Sequence, residues 1–258
     1  MAIITLTTDL GDKDIYQAAL KGSILKLLPA VNIVDITHSV AAFNVQQAAF
    51  ILKNSFYYFP ESTVHLIGID TVFNTGTKYL AIRYREHYFV GADNGIFSLM
   101  FNDDPDEVVE INIMQDLKFL HFPLADIFVK AACHLASGGK LEEIGLPVTT
   151  IEKKMNLQPV LEKNVIKGAV IYIDAFQNVI TNITKEFFNK VQQGRRFTLY
   201  FKRNETINQL SWHYNEVPEG EKLCLFGISD HLEIAINKGN ASGLLGLSLG
   251  DSVIIDFE

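Results

Sequence analysis

Residues 3–14 read Ile3-Ile4-Thr5-Leu6-Thr7-Thr8-Asp9-Leu10-Gly11-Asp12-Lys13-Asp14. An apolar, β-branched run closes in three carboxylates and one glycine, and a helical pattern begins near Ile15. This is a first strand passing through a polar loop into a helix. In open α/β sheets, ligands bind beyond the carboxyl ends of the strands. Asp9, Asp12 and Asp14 therefore stand at a candidate site. Aspartate is also a favoured helix N-cap, and Asp14 reads as one. Asp9, where strand turns to loop, reads as functional.

The same alternation continues outward from this stretch. A helix spans Ile15 to Leu28 and stops at Pro29. Strands follow at residues 31–36 and 63–69, with a helix from Phe43 to Phe56 between them. Tyr79–Tyr84 and Tyr88–Ala92 alternate like a β pair before Asp93-Asn94-Gly95, and Asp126–Ser137 is a further helix. Residues 1–150 are thus expected to form an α/β domain with a largely parallel central sheet. Residues 151–163, with three lysines and little periodicity, read as a linker. Residues 164–258 are strand-rich, with a short helix capped by Thr184, and predict a smaller all-β barrel.

Composition narrows the function classes. The chain has 258 residues, 48% of them hydrophobic, enough for a sizeable core. A net charge of -8 opposes a nucleic-acid surface, which needs a basic stripe. No apolar run reaches transmembrane length and no signal pattern opens the chain, so a cytoplasmic protein without a membrane partner is expected. Cys133 and Cys224 lie far apart in apolar surroundings and read as buried free thiols of a reducing compartment.

Several strand ends carry the same kind of group. Asp9 ends the first strand, Asp70 the third, and Asp93-Asn94 the later hairpin. Carboxylates and amides on one sheet edge can accept from both hydroxyls of a ribose, or hold a divalent cation. No zinc spacing, phosphate loop or dinucleotide fingerprint is present. His38 and His65 read as core or turn residues. In the second domain, Asp174, Phe176 and Asn178 share one bend. An aromatic face beside an amide suits a purine, although Asn and Asp also simply populate turns.

Together, TTDLGDKDIYQAALKG, DITHSV, YFPESTVH, FVGADNG, IDAFQNVITNI and LEIAINKGNASGLLGLSLGD resemble the S-adenosylmethionine hydroxide adenosyltransferases, adenosine-forming hydrolases related to fluorinase and chlorinase. The motifs run in the family's order along nearly the whole chain. The resemblance implies an α/β domain, a C-terminal barrel and a homotrimer, with S-adenosyl-L-methionine as substrate and no cofactor or metal. It implies that substrate lies between the N-terminal domain of one subunit and the C-terminal domain of its neighbour. By position, Asp9 holds the ribose hydroxyls, Asp14 lies near the methionine end, Phe43 is an aromatic lining residue and Asn94 is the asparagine of the DNG segment. Asp70 is the acidic member of the family's Asp-Arg-His set. Asp174 meets the methionine ammonium, while Phe176, Asn178 and Tyr214 surround adenine.

The implied chemistry is displacement at ribose C5′ by water or hydroxide, with methionine leaving as a neutral thioether. The sulfonium needs no general acid. The site must supply alignment, desolvation and a group that orients water. Here the sequence departs from its relatives. The family arginine position holds Thr77, and the adjacent Lys78 offers charge without the guanidinium fork. The family histidine position holds Pro123, Ala125 replaces a second arginine, and Gln177 stands where glycine is usual. His121, two residues from the expected place, is the substitute catalytic histidine. Phe73 and Leu124 replace the hydroxyl residues that would hold a halide, which disfavours a halogenase. A hydrolase acting through Asp70 is the first reading. An adenosyl-binding protein with lost or altered catalysis, and another enzyme on the same scaffold, are the alternatives.

Overall fold

The computed structural model describes residues 2–71, 76–202 and 205–258. Phe73, read as replacing a residue whose hydroxyl would hold a halide, lies outside the described residues. The chain divides into two compact units, Met1–Met155 and Asn156–Glu258.

The first unit contains β1 (Ile3–Thr8), α1 (Tyr16–Leu27), β2 (Asn32–Thr37), α2 (Val45–Lys53), β3 (Val64–Gly68), β4 (Tyr79–Tyr84), β5 (His87–Ala92), α3 (Ile96–Met100), β6 (Glu107–Ile111), α4 (Ile127–Ala136) and β7 (Gly145–Pro147). The sheet order is β2-β1-β3-β5-β4-β6-β7. Alternation along β1 sends Ile4 and Leu6 to one face, where Leu20 and Ile24 of α1 and Phe128 of α4 close a core. Ile67 and Ile69 pack on the other face with Ala48 and Leu52 of α2 and Phe97 of α3.

The sheet is mixed rather than largely parallel. Among the described residues, β1 pairs in parallel with β2 and β3, and β3 with β5, whereas β4 runs antiparallel to β5 and β6, and β6 to β7. The cause is the turn Arg85-Glu86, at φ 48° and 61°. Two left-handed residues close a tight hairpin, and strands joined that closely must be antiparallel. The second helix is also shorter than its apolar pattern. Phe43 sits at φ 61°, outside the helix, and Asn44 caps it by accepting from Gln47 N–H at 3.0 Å. Asp14 does not cap α1: the N-cap is Ile15, which makes no side-chain cap.

The second unit contains β8 (Val160–Glu162), β9 (Val165–Ile173), β10 (Val179–Thr184), α5 (Lys185–Gln192), β11 (Phe197–Phe201), β12 (Glu205–Ile207), β13 (Lys222–Phe226), β14 (His231–Ile236), α6 (Ala241–Leu245) and β15 (Ser252–Phe257). Its named strands pair antiparallel in the order β12-β11-β15-β9-β10-β14-β13, with β8 alongside β9. The two ends approach each other through Leu210, which bridges to Cys224, and Ser211 N–H, which donates to Cys224 O at 2.8 Å. The result is a nearly closed barrel around Ile166, Phe188, Ile234 and Val253. Thr184 caps α5 by accepting from Phe187 N–H at 3.2 Å. Cys133 and Cys224 are free and buried, and burial pushes both thiols up. Among the described residues, no helix is long and apolar enough to cross a membrane.

One polar chain runs through the core of the first unit. Thr5 Oγ1 lies 2.7 Å from His65 Nδ1, and His65 Nε2 lies 3.2 Å from His87 Nδ1. Phe89 stacks on His65 at 4.8 Å. Burial, then the neighbouring His87, pushes His65 down from 6.5 to about 3, and burial also lowers His87 against the opposing pull of Glu61 and Glu86. A histidine with a depressed folded pKa binds fewer protons folded than unfolded. Its contribution is complete above about pH 6.5 and is lost as pH falls towards 3. Urea unfolding should therefore show lower stability at pH 5 than at pH 7, by up to about 1.4 kcal/mol per pH unit for one such group. The double variant Thr5→Val/His65→Phe, which removes both partners of the bond, should shrink that difference.

Candidate functional site

Because β1, β3 and β5 run the same way, Asp9, Asp70 and Asn94 leave the sheet at one edge. Asp9 N–H donates to Gly68 O at 3.4 Å, and Asp9 Oδ2 accepts from Phe43 N–H at 2.8 Å. Asn94 Nδ2 donates to Ile69 O at 2.9 Å, and its Oδ1 accepts from Ile96 N–H at 3.2 Å. The structure thus brings Asp9 and Phe43 into contact and ties Asn94 to the residue before Asp70. Asp70 itself is exposed, at φ 47°. Burial pushes the neighbouring Asp93 carboxyl up, while its Oδ1 accepts from Glu152 N–H at 2.8 Å.

The loop carrying Asp9 is held by a residue read from sequence only as core or turn. His38 Nδ1 lies 2.7 Å from Thr8 Oγ1, and His38 O accepts from Gly11 N–H at 2.8 Å. On its other side, His38 Nε2 lies 3.1 Å from Asp35, which pairs with Lys21 at 2.6 Å. His38 thereby grips the chain on both flanks of Asp9.

The water-handling side is built differently. Pro123 is buried at the start of a short 3-10 turn, so the family histidine position presents no titratable group. Lys78 pairs with Glu110 at 3.0 Å. Leu124 is fully buried, and a Cβ on Gly68 would fall 2.5 Å from its Cδ2. An apolar side chain therefore closes over the end of β3. Asp126 anchors the preceding segment, accepting from Asp116 N–H at 2.8 Å and pairing with Lys130 at 2.6 Å. Asp14 and His121 are exposed. Among the described residues, neither hydrogen-bonds to Asp9, Asp70 or Asn94, and no three His, Cys, Asp or Glu side chains converge as a metal cage.

In the second unit, Asp174, Phe176, Asn178 and Tyr214 line one cavity of about 1210 Å³. The bend between β9 and β10 is closed by Asp174, whose carboxylate accepts from Asn178 N–H at 2.7 Å and Nδ2 at 3.0 Å. This turns the amide to a set orientation beside the exposed Phe176 ring. Among the lining residues that escaped the sequence reading are Trp212 and Glu233. An acidic residue inside the apolar run Leu232–Ile236 was the available signal for Glu233. Burial pushes its carboxyl up, the Tyr214 hydrogen bond opposes this, and the Asp174 charge adds to it.

The two units match, in order, the models of the SAM hydroxide adenosyltransferase N-terminal domain, over residues 4–145, and C-terminal domain, over residues 168–254. The chain belongs to the SAM hydroxide adenosyltransferase family. A protein named (R)-S-adenosyl-L-methionine hydrolase from Methanocaldococcus jannaschii is 30% identical, covering 98% of this chain and 95% of that one. A fluorinase from Actinoplanes is 24% identical over 74% of this chain and 75% of its own. The solved structure of an uncharacterized conserved protein from Thermotoga maritima superposes with a TM-score of 0.89 at 31% identity, covering 98% and 99%.

Against the adenosyltransferase pattern Phe-Gly-Asn, Gln177 has a physical cost. It sits at φ 68°, the left-handed region that favours glycine. Gln177→Gly should stabilise the protein by about 1 kcal/mol in urea unfolding, with ligand binding retained. Trp212 is the only tryptophan of the chain and is 84% exposed at the cavity. Adenosine should shift its emission, and Asp174→Ala, which frees the Asn178 amide, should weaken that titration at least about tenfold.

Proposed function

We propose that this chain hydrolyses S-adenosyl-L-methionine to adenosine and L-methionine. The observation that carries the reading is the cavity on which Asp174, Phe176, Asn178 and Tyr214 converge, in a chain matched over both family domains. Phe176 and Tyr214 offer ring faces to adenine, and Asn178 offers an amide to its edge. Asp174 faces the methionine ammonium. On the sheet edge, Asp9 accepts from the ribose hydroxyls, with Phe43, Asn94 and Asp14 completing the lining of the adenosyl and methionine ends. The binding-only alternative is not favoured, since relatives from Methanocaldococcus jannaschii and Thermus thermophilus are both named hydrolases.

In the proposed reaction, water attacks C5′ in line with the sulfonium. The O–C5′ bond forms as the C5′–S bond breaks, the bonding pair stays on sulfur, and the water proton passes to Asp70 and then to solvent. No leaving-group acid is required. With Thr77 and Pro123 in place of the family arginine and histidine, Asp70 carries the water alone at the sheet edge. His121 enters as an accessory group on the solvent side. A homotrimer and a cytoplasmic location belong to the same proposal, the latter supported by two free thiols.

Purified protein incubated with S-adenosyl-L-methionine should release adenosine and methionine, followed by chromatography, with no 5′-chloroadenosine when chloride is present. Asp70→Asn should lower kcat about 10²- to 10⁴-fold with KM little changed, and His121→Ala less than about tenfold. Ligand bound by calorimetry without any product would overturn the reading. Light scattering at three chain masses checks the trimer.

A further inference from the structure

Glu233 occupies a position where a carboxylate is not expected. Leu232, Ile234 and Ile236 of β14 point into the barrel core. Alternation sends Glu233 and Ala235 to the outer face, where Ala235 packs with Leu223 and Leu225. An acidic side chain on such a face normally reaches water. Glu233 is instead only 5% exposed, beside Tyr214 at the wall of the cavity.

Its two oxygens are in different situations. Oε2 accepts from the Tyr214 hydroxyl at 2.9 Å. Oε1 lies against the backbone of Gly227, where an added Cβ would stand 1.7 Å away, so only glycine leaves room for the carboxylate. Among the described residues, Oε1 accepts no hydrogen bond and no cation pairs with Glu233. A buried carboxylate is costly unless its oxygens are hydrogen-bonded, and an ionised one can only accept. The Tyr214 proton is already committed to it. The cavity wall beside the two aromatic rings therefore presents a pure acceptor.

We infer that Glu233 selects an adenine base over a 6-oxopurine by accepting a hydrogen bond from the exocyclic amino group. The inference rests on the adenosyl-ligand reading proposed above. Adenine brings an N–H to this oxygen. A 6-oxopurine brings a carbonyl lone pair, leaving two acceptors opposed. The substrate's other donors are the ribose hydroxyls and the methionine ammonium, which Asp9 and Asp174 already face in the proposed reading. Glu233 is joined to Tyr214, which lines the base.

Full-length protein is titrated with adenosine, inosine and purine riboside, which lacks the 6-substituent, and followed by Trp212 emission and calorimetry. Wild type should bind adenosine about 10- to 100-fold more tightly than either analogue, the range for a hydrogen bond to a charged group. Glu233→Gln, whose amide is both donor and acceptor, should bring the adenosine-to-inosine ratio within about threefold while its far-ultraviolet spectrum and urea midpoint report a folded chain. Adenosine bound by wild type with less than about threefold discrimination overturns the inference and leaves the adenosyl reading standing. Unchanged discrimination in E233Q does the same. No adenosine binding to wild type overturns both. If E233Q does not fold, the purine riboside comparison in wild type decides, equal affinity overturning the inference.

Discussion

β1 is hydrogen-bonded along both edges to parallel strands, and its side chains from Ile4 to Thr8 are buried. Such a strand cannot slip. A shift of one residue would exchange Ile4 and Leu6 with Thr5 and Thr7 between the two faces. The polar side chains add to this, because Thr5 meets His65 and Thr8 meets His38. A threonine displaced from either partner would leave a buried hydroxyl unsatisfied. The point at which the chain leaves the sheet is therefore set by the core. Asp9 is the first residue past that point, and its hydrogen bonds to Gly68 and Phe43 follow from it.

The second unit reaches the same end by a different route. Its cavity groups sit on a bend and on the outer face of a nearly closed sheet. The bend is preset by Asp174, which grips Asn178 twice, and the outer face by Glu233, which holds Tyr214. Groups held by hydrogen bonds before a ligand arrives lose little freedom on binding, so more of each contact appears as affinity. The same preorganisation explains why Gln177 is tolerated at a positive φ. Its N–H donates to Asp174 O at 3.0 Å and its carbonyl accepts from Ser242 N–H at 3.0 Å.

Much of this was legible because polarity changes sharply at the strand ends. Asp9, Asp70 and Asn94 could be placed at one edge, and Thr184 could be read as a cap, from local pattern alone. Strand direction is another matter. Alternation in Tyr79–Tyr84 and Tyr88–Ala92 reports that strands exist, not which way they run. Arg85-Glu86 lacks the Asn-Gly or Asp-Gly signature that would have announced the hairpin. Phe43 fits an apolar helical period, and only its backbone conformation removes it. His38 acts through Thr8, 30 residues away, and Glu233 through Tyr214, 19 residues away. Such pairings are written in the tertiary fold and not in any window of sequence.

Apart from Gln177, the departures from the family fall at the positions of its arginines, its histidine and its halide-holding hydroxyls. On the proposed reading, the groups that would hold an adenosyl ligand are held by hydrogen bonds, while of the water-handling set only Asp70 remains, with Pro123 at the histidine position and Lys78 paired with Glu110. For most displacements that loss would be severe. A sulfonium is an unusual leaving group, since it departs as a neutral thioether and asks for no proton. Charge at the reacting centre is dispersed as the bond breaks, so a desolvated site favours the transition state over the charged substrate. Alignment of water with the C5′–S axis then carries most of the demand. On the proposed reading, the exposed Asp70 carboxylate at the sheet edge meets that demand. On the proposed reading, the demand on this chain is thus to hold the ligand in line more than to activate the nucleophile.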